Sequence, residues 1–382
     1  MYFAEKYSLG HQRGGQTLRS FDHSLAQLHR DIIVIGTSAG GVEALKEFVG
    51  HLPKELPASI FVVLHIPTDS RSMLPEILNV KSPLMAAHAE NDETFEHGRI
   101  YVAPPNHHLM LLEGGKITLS RGPRENRSRP AIDPLFRTAA RNYGERVIAI
   151  LLTGTMDDGV AGMIQVKQRG GLTIAQDPRE ALFPEMPQTA IVRAGVHHIL
   201  PVYEIAVLLD DLVRRPLTNT QMNQSDAEDK AKSKIEQTIQ DQMEGRRNGT
   251  TATYSCPECG GVLWESDQDN LIHFRCHVGH TYSAEALLAD QSDNIEAALW
   301  SALRALKEKA ILSRQLASDM RTRGSNYSAE RFEEQATDLE KHIETVNTML
   351  LSPGSEQPAF GAGGNAPTGA TPGGGDTRFR NA

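Results

Sequence analysis

The sequence predicts an α/β fold: a three-layer, doubly wound, mostly parallel sheet with a hairpin insertion, followed by a small zinc ribbon and an α-helical hairpin. Three observations carry this. From Asp31 to about Leu212, nearly all-apolar, β-branched runs alternate with helix-like stretches, the pattern of a parallel sheet covered on both faces. The three cysteines, Cys256, Cys259 and Cys276, sit in one short stretch. Beyond them, two segments repeat apolar residues at helical spacing.

The strand candidates are residues 32–35, 60–64, 147–152 and 173–175, and the helices that punctuate them include 42–49 and 133–142. Between the second and third strands, residues 98–105 and 108–119 read as short strands turning at Gly114-Gly115, a hairpin insertion. A polar leader covers residues 1–29, the α/β domain 30–215, and a linker rich in Gln, Asn, Asp, Glu and Lys 216–250. The cysteine segment occupies 251–290. Ile295, Leu299, Leu303, Leu306 and Ala310, then Phe332, Leu339, Ile343, Val346 and Leu350 after a break at Gly324, predict a helical hairpin over 291–351. Residues 352–382, rich in Gly, Pro, Ala and Thr, have too few apolar groups to offset ordering entropy and are expected to be disordered.

A chain of 382 residues is expected to hold more than one domain, and its 39% hydrophobic and 23% charged residues are those of a globular protein. The net charge of −9 argues against general nucleic-acid binding. The N-terminus lacks the apolar core of a signal peptide and no stretch offers the ~20 apolar residues of a membrane span, so the expected location is the cytoplasm, without membrane insertion. Three clustered cysteines fit metal binding better than a secreted disulfide framework.

The turn after the first strand, Gly36-Thr37-Ser38-Ala39-Gly40-Gly41, raises two readings. A dinucleotide loop needs G-x-G-x-x-G and an acid at the end of the next strand, which instead ends in His65; a P-loop needs a Gly-Lys-Ser/Thr that is missing. The turn does satisfy G-x-S-x-G, the pattern of a nucleophile elbow that lifts a serine to the sheet's carboxyl edge beside free helix amides. A small residue that lets helix and strand pack closely would give the same pattern. Two further polar groups fall at that edge: His65 where the second strand ends, and the acids Asp157 and Asp158 where a later strand ends. Carboxyl ends of neighbouring parallel strands converge on one crevice, so a nucleophile, a base and an orienting acid can meet there. The order Ser, His, Asp departs from that of the α/β-hydrolases.

The stretches "VIGTSAGGVEAL", "FVVLHIP", "GRIYVAPPNHHL", "RPAIDPLFRTAA", "AILLTGTMDDGVAGM" and "TIAQDPREALFPEMPQTAI" together resemble the catalytic domain of CheB-type chemotaxis receptor methylesterases, which are also glutamine deamidases. The resemblance covers about residues 32–212. It implies a serine hydrolase that removes methyl esters from γ-glutamyl residues of a methylated chemoreceptor-like protein, releasing methanol, with Ser38 as nucleophile, His65 as base and Asp158 as the orienting acid. Asp157 falls on a variable position and reads as a solvated neighbour. The family places an oxyanion-binding backbone amide where this chain has Thr155, with the amide of Ala39 beside it; the family's methionine at the first of these positions is absent. Catalysis is expected to need no cofactor. About 30 residues precede the first strand, so control by a receiver domain within this chain is not expected. His107, His108, His197 and His198 read as ordinary surface or loop residues. Arg124, Arg127 and Arg129 form a basic cluster that either meets acidic receptor helices or lines a solvated loop.

Cys256-Pro257-Glu258-Cys259 is a knuckle presenting two thiolates to one ion, and Cys276 with His280 completes a Cys₃His set suited to structural zinc. His277 is the alternative fourth ligand. This module and the helices after it are expected to bind a regulatory protein, and the enzyme itself to be recruited to membrane receptor arrays. Two rivals remain: a non-catalytic adaptor acting through the ribbon and hairpin, and an esterase for a different substrate.

Overall fold

The computed structural model describes residues 28–67, 71–217, 249–268 and 271–351. The tail expected to be disordered, and nearly all of the expected leader and linker, lie outside these residues. The chain divides into two compact units, residues 1–291 and 292–382.

The first unit is built on a seven-stranded sheet: β1 (Ile32–Thr37), β2 (Ser59–Leu64), β3 (Met85–His88), β4 (Arg99–Val102), β7 (Val147–Leu151), β8 (Leu172–Gln176) and β9 (His198–Leu200). Their spatial order is β3-β4-β2-β1-β7-β8-β9, and every pairing is parallel. β1 is buried along its whole length, and apolar from Ile32 to Ile35, because helices cover both of its faces. Ile33 and Ile35 point to one layer, packing with Leu45 and Phe48 of α1 (Gly41–Gly50), Leu78 of α2 (Leu74–Asn79) and Leu209 of α6 (Val202–Arg214). Ile32 and Val34 point to the other, packing with Phe136 of α3 (Ile132–Tyr143), Met163 of α4 (Val160–Gln168) and Met186 of α5 (Glu185–Ala194). This strict alternation is the period of two that a strand imposes on its side chains. Each fully buried Ile or Val stabilises the fold by roughly 1.5–3 kcal/mol relative to exposure.

The hairpin insertion is β5 (His108–Leu112) paired antiparallel with β6 (Lys116–Ser120), turning at Gly114 and Gly115, both with φ above +70°. Residues 99–102, which the sequence reading assigned to this insertion, instead form β4 and pair with β2 in the main sheet. Tyr101 and Val102 are fully enclosed there, and that burial outweighs the turn signals flanking so short a run.

The cysteine segment forms a four-stranded antiparallel sheet, β10 (Thr250–Ser255), β11 (Val262–Gln268), β12 (Leu271–Cys276) and β13 (Thr281–Ser283). Its core is small: Leu263, Phe274, Tyr282, Leu287 and two cysteines. The following helix α7 (Ala284–Thr322) begins directly after β13, before the boundary at residue 290 read from the sequence.

In the second unit α7 pairs with α8 (Asn326–Leu351), with Gly324 in the left-handed region at the turn. Leu303, Ala310, Ala317, Ala336 and Leu339 are buried, and Arg314–Glu340 and Arg321–Glu333 ion pairs join the antiparallel helices. Ile295, expected on the buried stripe, is 63% exposed.

Candidate active site

In the strand order β2-β1-β7, chain connections run outward in opposite directions from β1, making its carboxyl end a switch point where a parallel sheet opens a crevice. Ser38 follows β1, His65 follows β2 and Asp158 lies in the turn after β7. Gly36 lets α3 lie against β1, since a Cβ there would meet Ile132 Cγ2 at 2.4 Å. Gly40, at φ 75°, turns the chain into α1. Thr153, just beyond β7, ties the two strand ends together: its carbonyl accepts from Thr37 Oγ1 at 2.8 Å and from the Ser38 amide at 3.0 Å. The serine is held between two strands rather than on a free loop.

Ser38 Oγ lies 3.2 Å from His65 Nδ1, and His65 Nε2 lies 2.8 Å from Asp158 Oδ2. A carboxylate only accepts, so Nε2 carries the proton and Nδ1 offers its lone pair to the serine hydroxyl. The three side chains predicted from the sequence therefore stand in one line of hydrogen bonds.

Asp158 is buried and accepts four donors. His65 Nε2 and the Ile132 amide (2.6 Å) reach Oδ2; Asn126 Nδ2 (2.9 Å) and the Asp133 amide (3.3 Å) reach Oδ1. Ile132 and Asp133 open α3, so the carboxylate sits at a helix N-terminus, where negative charge is favoured. Burial alone would raise its pKa, but the His65 hydrogen bond, attraction to His65 in its protonated form, and the Ile132 and Asn126 donors reverse this and hold it below the ordinary carboxylate value. Asp133, equally buried, is pushed well above that value by desolvation and by the Asp158 charge. Its Oδ1 accepts from the Gly162 amide at 2.7 Å.

Asp157 is not the solvated neighbour expected from its place in the motif. It is 7% exposed, accepts from Ser283 Oγ at 2.6 Å and lies 3.6 Å from Arg193 Nη1. Burial raises its pKa to about 7, against the opposing Ser283 hydrogen bond. Residues 157 and 158 thus face opposite neighbours: the histidine on one side, the cysteine module on the other. The basic cluster is likewise committed internally. Arg124 pairs with Glu258, Arg127 with Asp290, and Arg129 donates to Asn106 Oδ1 at 2.6 Å and to the Gly122 carbonyl at 2.6 Å. His108 is no surface residue either: it is buried, with Nε2 donating to the Pro123 carbonyl while Nδ1 accepts from the Ala131 amide. Burial lowers its pKa.

For the oxyanion-binding amides predicted from the sequence, Gly154 is informative. A Cβ there would come within 2.9 Å of Ser38 Cβ, so the peptide leading into Thr155 lies beside the serine. Ala39 follows the serine in the chain, and its carbonyl accepts from Thr153 Oγ1. The Ser38 amide is already used by Thr153.

The predicted metal set converges as well. Donor atoms of Cys256, Cys259, Cys276 and His280 all lie within 4.8 Å of one another. His280 Nδ1 is 3.6 Å from Cys256 Sγ and 3.5 Å from Cys276 Sγ, and the Cys259 and Cys276 sulfurs are 3.7 Å apart. A tetrahedron with ligands at ~2.3 Å has edges of roughly 3.8 Å, so the four atoms fit a tetrahedral ion. His280 Nε2 pairs with Glu258 at 2.9 Å, which leaves Nδ1 free to ligate. His277 is exposed and outside the group.

A doubly wound parallel sheet that gathers serine, histidine and aspartate at the carboxyl ends of three adjacent strands defines a serine-hydrolase class of site. A family model described as CheB methylesterase matches residues 33–209. A Leptospira interrogans relative is 38% identical over 181 residues, 47% of this chain and 94% of that protein. The chain belongs to the CheB methylesterase family. A Geobacter metallireducens relative named protein-glutamate methylesterase/protein-glutamine glutaminase 1 is 38% identical over 187 residues, which are 48% of this chain and 51% of the relative. The crystallised Thermotoga maritima CheB methylesterase catalytic domain is 36% identical, with a TM-score of 0.46 over 48% of this chain and 98% of that domain.

Proposed function

We propose that this chain is a protein-glutamate methylesterase that hydrolyses γ-glutamyl methyl esters on a methylated chemoreceptor-like protein, and that the same site deamidates glutamine. The observation that carries this reading is the unbroken line from Ser38 Oγ through His65 to Asp158 in a member of the CheB methylesterase family. Ser38 attacks the ester carbonyl while His65 Nδ1 takes its proton. The imidazolium, steadied by Asp158, gives that proton to the departing methoxide as the C–O bond breaks; the neutral ring then takes a proton from water as the water oxygen attacks the acyl-enzyme, and passes it to Ser38 Oγ as that ester bond breaks and glutamate leaves. The Ala39 and Thr155 amides hold the oxyanion, each donor worth on the order of 10²–10³-fold in rate. With glutamine the leaving group is ammonia and the steps are the same.

No cofactor takes part in these steps. In the cysteine module, Cys256, Cys259, Cys276 and His280 hold a structural zinc ion, whose binding offsets the smallness of the core there. No helix among the described residues is long and apolar enough to cross a membrane. That fits an enzyme working in the cytoplasm on the exposed helices of receptor arrays, with no nucleic-acid substrate. The domain limits proposed are 30–215 for the esterase, 251–290 for the zinc ribbon and 291–351 for the helical hairpin, the hairpin serving a regulatory protein.

The test is methanol release from a radiolabelled methylated chemoreceptor, comparing the natural chain with Ser38→Ala. Release that disappears in the variant supports both esterase and nucleophile. No release by the folded, zinc-loaded chain, with turnover of simple esters intact, points to a different ester; no turnover of either points to an adaptor.

A further inference from the structure

The loop between the hairpin insertion and α3 passes between the serine-hydrolase site and the cysteine module, and one residue of it touches both. Asn126 Nδ2 donates to Asp158 Oδ1 at 2.9 Å and to Asp133 Oδ2 at 3.1 Å. Its side-chain carbonyl accepts from the Ser283 amide at 3.0 Å, and its own amide donates to the Thr281 carbonyl at 2.9 Å. Ser283 and Thr281 are the two ends of β13. Asn126 is thus held at backbone and side chain by one strand of the module while its amide nitrogen presses on the acid that orients His65.

The backbone marks the same spot. Asn126 and Arg127 both have positive φ, 48° and 67°, a conformation that ordinary residues adopt only where their surroundings enforce it. The enforcement is visible on both sides. Glu125 makes two hydrogen bonds to Arg137 of α3, at 2.8 and 3.1 Å, and the Thr281 amide donates to the Arg124 carbonyl at 3.2 Å. Arg127 pairs with Asp290. Ser283 also reaches the turn carrying the triad acid directly, through Asp157.

We propose that Asn126 is a positioning residue for the Asp158–His65 pair, and that strand β13 of the cysteine module is the brace that holds it there. This rests on the reading of Ser38, His65 and Asp158 as the triad. The module is then a working part of the esterase site rather than an appended binding domain. Without the brace, Asn126 is free to leave its positive-φ conformation, Asp158 loses one of its four donors, and the imidazole loses a fixed partner. The loss falls on the chemical step, since Asn126 lies behind Asp158, away from the serine.

The experiment uses the full chain and reads kcat and KM for a simple ester across pH, with thermal unfolding as the check on folding and Ser38→Ala in parallel. Asn126→Ala is expected to lower kcat about 10- to 100-fold, the size of a lost hydrogen bond to a charged group, with KM little changed. Asn126→Asp keeps the shape but sets a third carboxyl against Asp133 and Asp158, in a buried cluster that also holds the Glu125–Arg137 pair and His108. It is expected to be as impaired as Asn126→Ala at alkaline pH and to regain activity relative to it as the pH falls, because the protonated carboxyl can donate to Asp158. A side chain that only fills space would produce no such pH-dependent recovery. For the brace, both Ser283→Pro and Ser283→Ala lose the hydroxyl bonded to Asp157, but only Ser283→Pro also removes the amide hydrogen that Asn126 accepts, so Ser283→Pro should lower kcat well below Ser283→Ala, by about the Asn126→Ala loss.

Natural kcat and pH profile in the Asn126 variants, with Ser38→Ala inactive, would overturn the proposal and leave the triad standing. Loss in the Asn126 variants with kcat in Ser283→Pro no lower than in Ser283→Ala would overturn the brace. Full activity in Ser38→Ala would overturn the triad, and the proposal with it.

Discussion

Asp158→Asn tests the site at its most constrained atom pair. The natural carboxylate accepts His65 and Ile132 on Oδ2 and Asn126 and Asp133 on Oδ1. A carboxamide has one oxygen, so in either orientation two of these four donors face an NH₂ group. Each buried donor left unsatisfied costs about 1–3 kcal/mol, roughly 2–6 kcal/mol of stability where both stay unpaired and about half that where His65 changes tautomer to accept from the amide. With nitrogen at the Oδ2 position, His65 Nε2 must become the acceptor. Nδ1 then carries the hydrogen and cannot take the serine's proton. With nitrogen at Oδ1, the tautomer survives but the charge that steadies the imidazolium is gone. A kcat loss of about 10⁴-fold is expected, as for the same substitution in Ser-His-Asp enzymes generally, with KM close to natural. The assay is steady-state methanol release on protein shown by denaturant unfolding to be folded. The natural chain should also lose stability as acid titrates Asp158. Its folded pKa is depressed, so its contribution is present above the unfolded value and lost as pH falls through the folded one; Asp158→Asn should lack that step. A folded variant whose kcat lies within tenfold of natural would refute the reasoning.

Asp157, raised to about 7, has the opposite linkage: its contribution is present below the unfolded carboxylate pKa and lost as pH rises through 7. The protection of amides around Ser283 against hydrogen exchange, taken relative to the intrinsic rate at each pH, should therefore fall between about pH 4 and 7 in the natural chain, and Asp157→Asn should flatten that dependence. Cys256→Ser should abolish stoichiometric zinc, measured by elemental analysis, and unfold the β10–β13 sheet, since zinc binding in small modules is worth roughly 10–16 kcal/mol. Gly36→Ala would drive a methyl group to 2.4 Å from Ile132 Cγ2 and should lower stability by about 1–3 kcal/mol, read as a fall in the unfolding midpoint.

The central strands were legible because burial on both faces leaves an unbroken apolar run, as in β1 and β7. The edges were not. β3, Met-Ala-Ala-His, and β9, His-Ile-Leu, have too few β-branched residues to announce themselves, and they become strands by pairing with a neighbour already in place. β4 looks in sequence like part of the hairpin because Gly98 and Pro104 bracket a four-residue run. At the site, Ser38, His65 and Asp158 could each be read from position, since each follows a recognisable strand. Asn126 could not: its meaning lies in Ser283, 157 residues further along the chain. The burial of Asp157 is hidden for the same reason. Its partner is 126 residues away, in a segment that the local motif does not contain. The Cys₃His set needed no such distant knowledge, because its spacing is itself the signal.

The placement of His65, Ser38 and Asp158 just beyond the carboxyl ends of β2, β1 and β7 has a consequence for what the fold can tolerate. These strands are the middle of the sheet, flanked by β4 and β3 on one side and β8 and β9 on the other. Fraying that starts at either margin must travel inward through at least one full strand before it reaches a reacting atom. Turnover should accordingly outlast the first spectroscopic signs of melting, and lengthening or trimming the outermost strands is a change that such an architecture can absorb across descendants without silencing its chemistry.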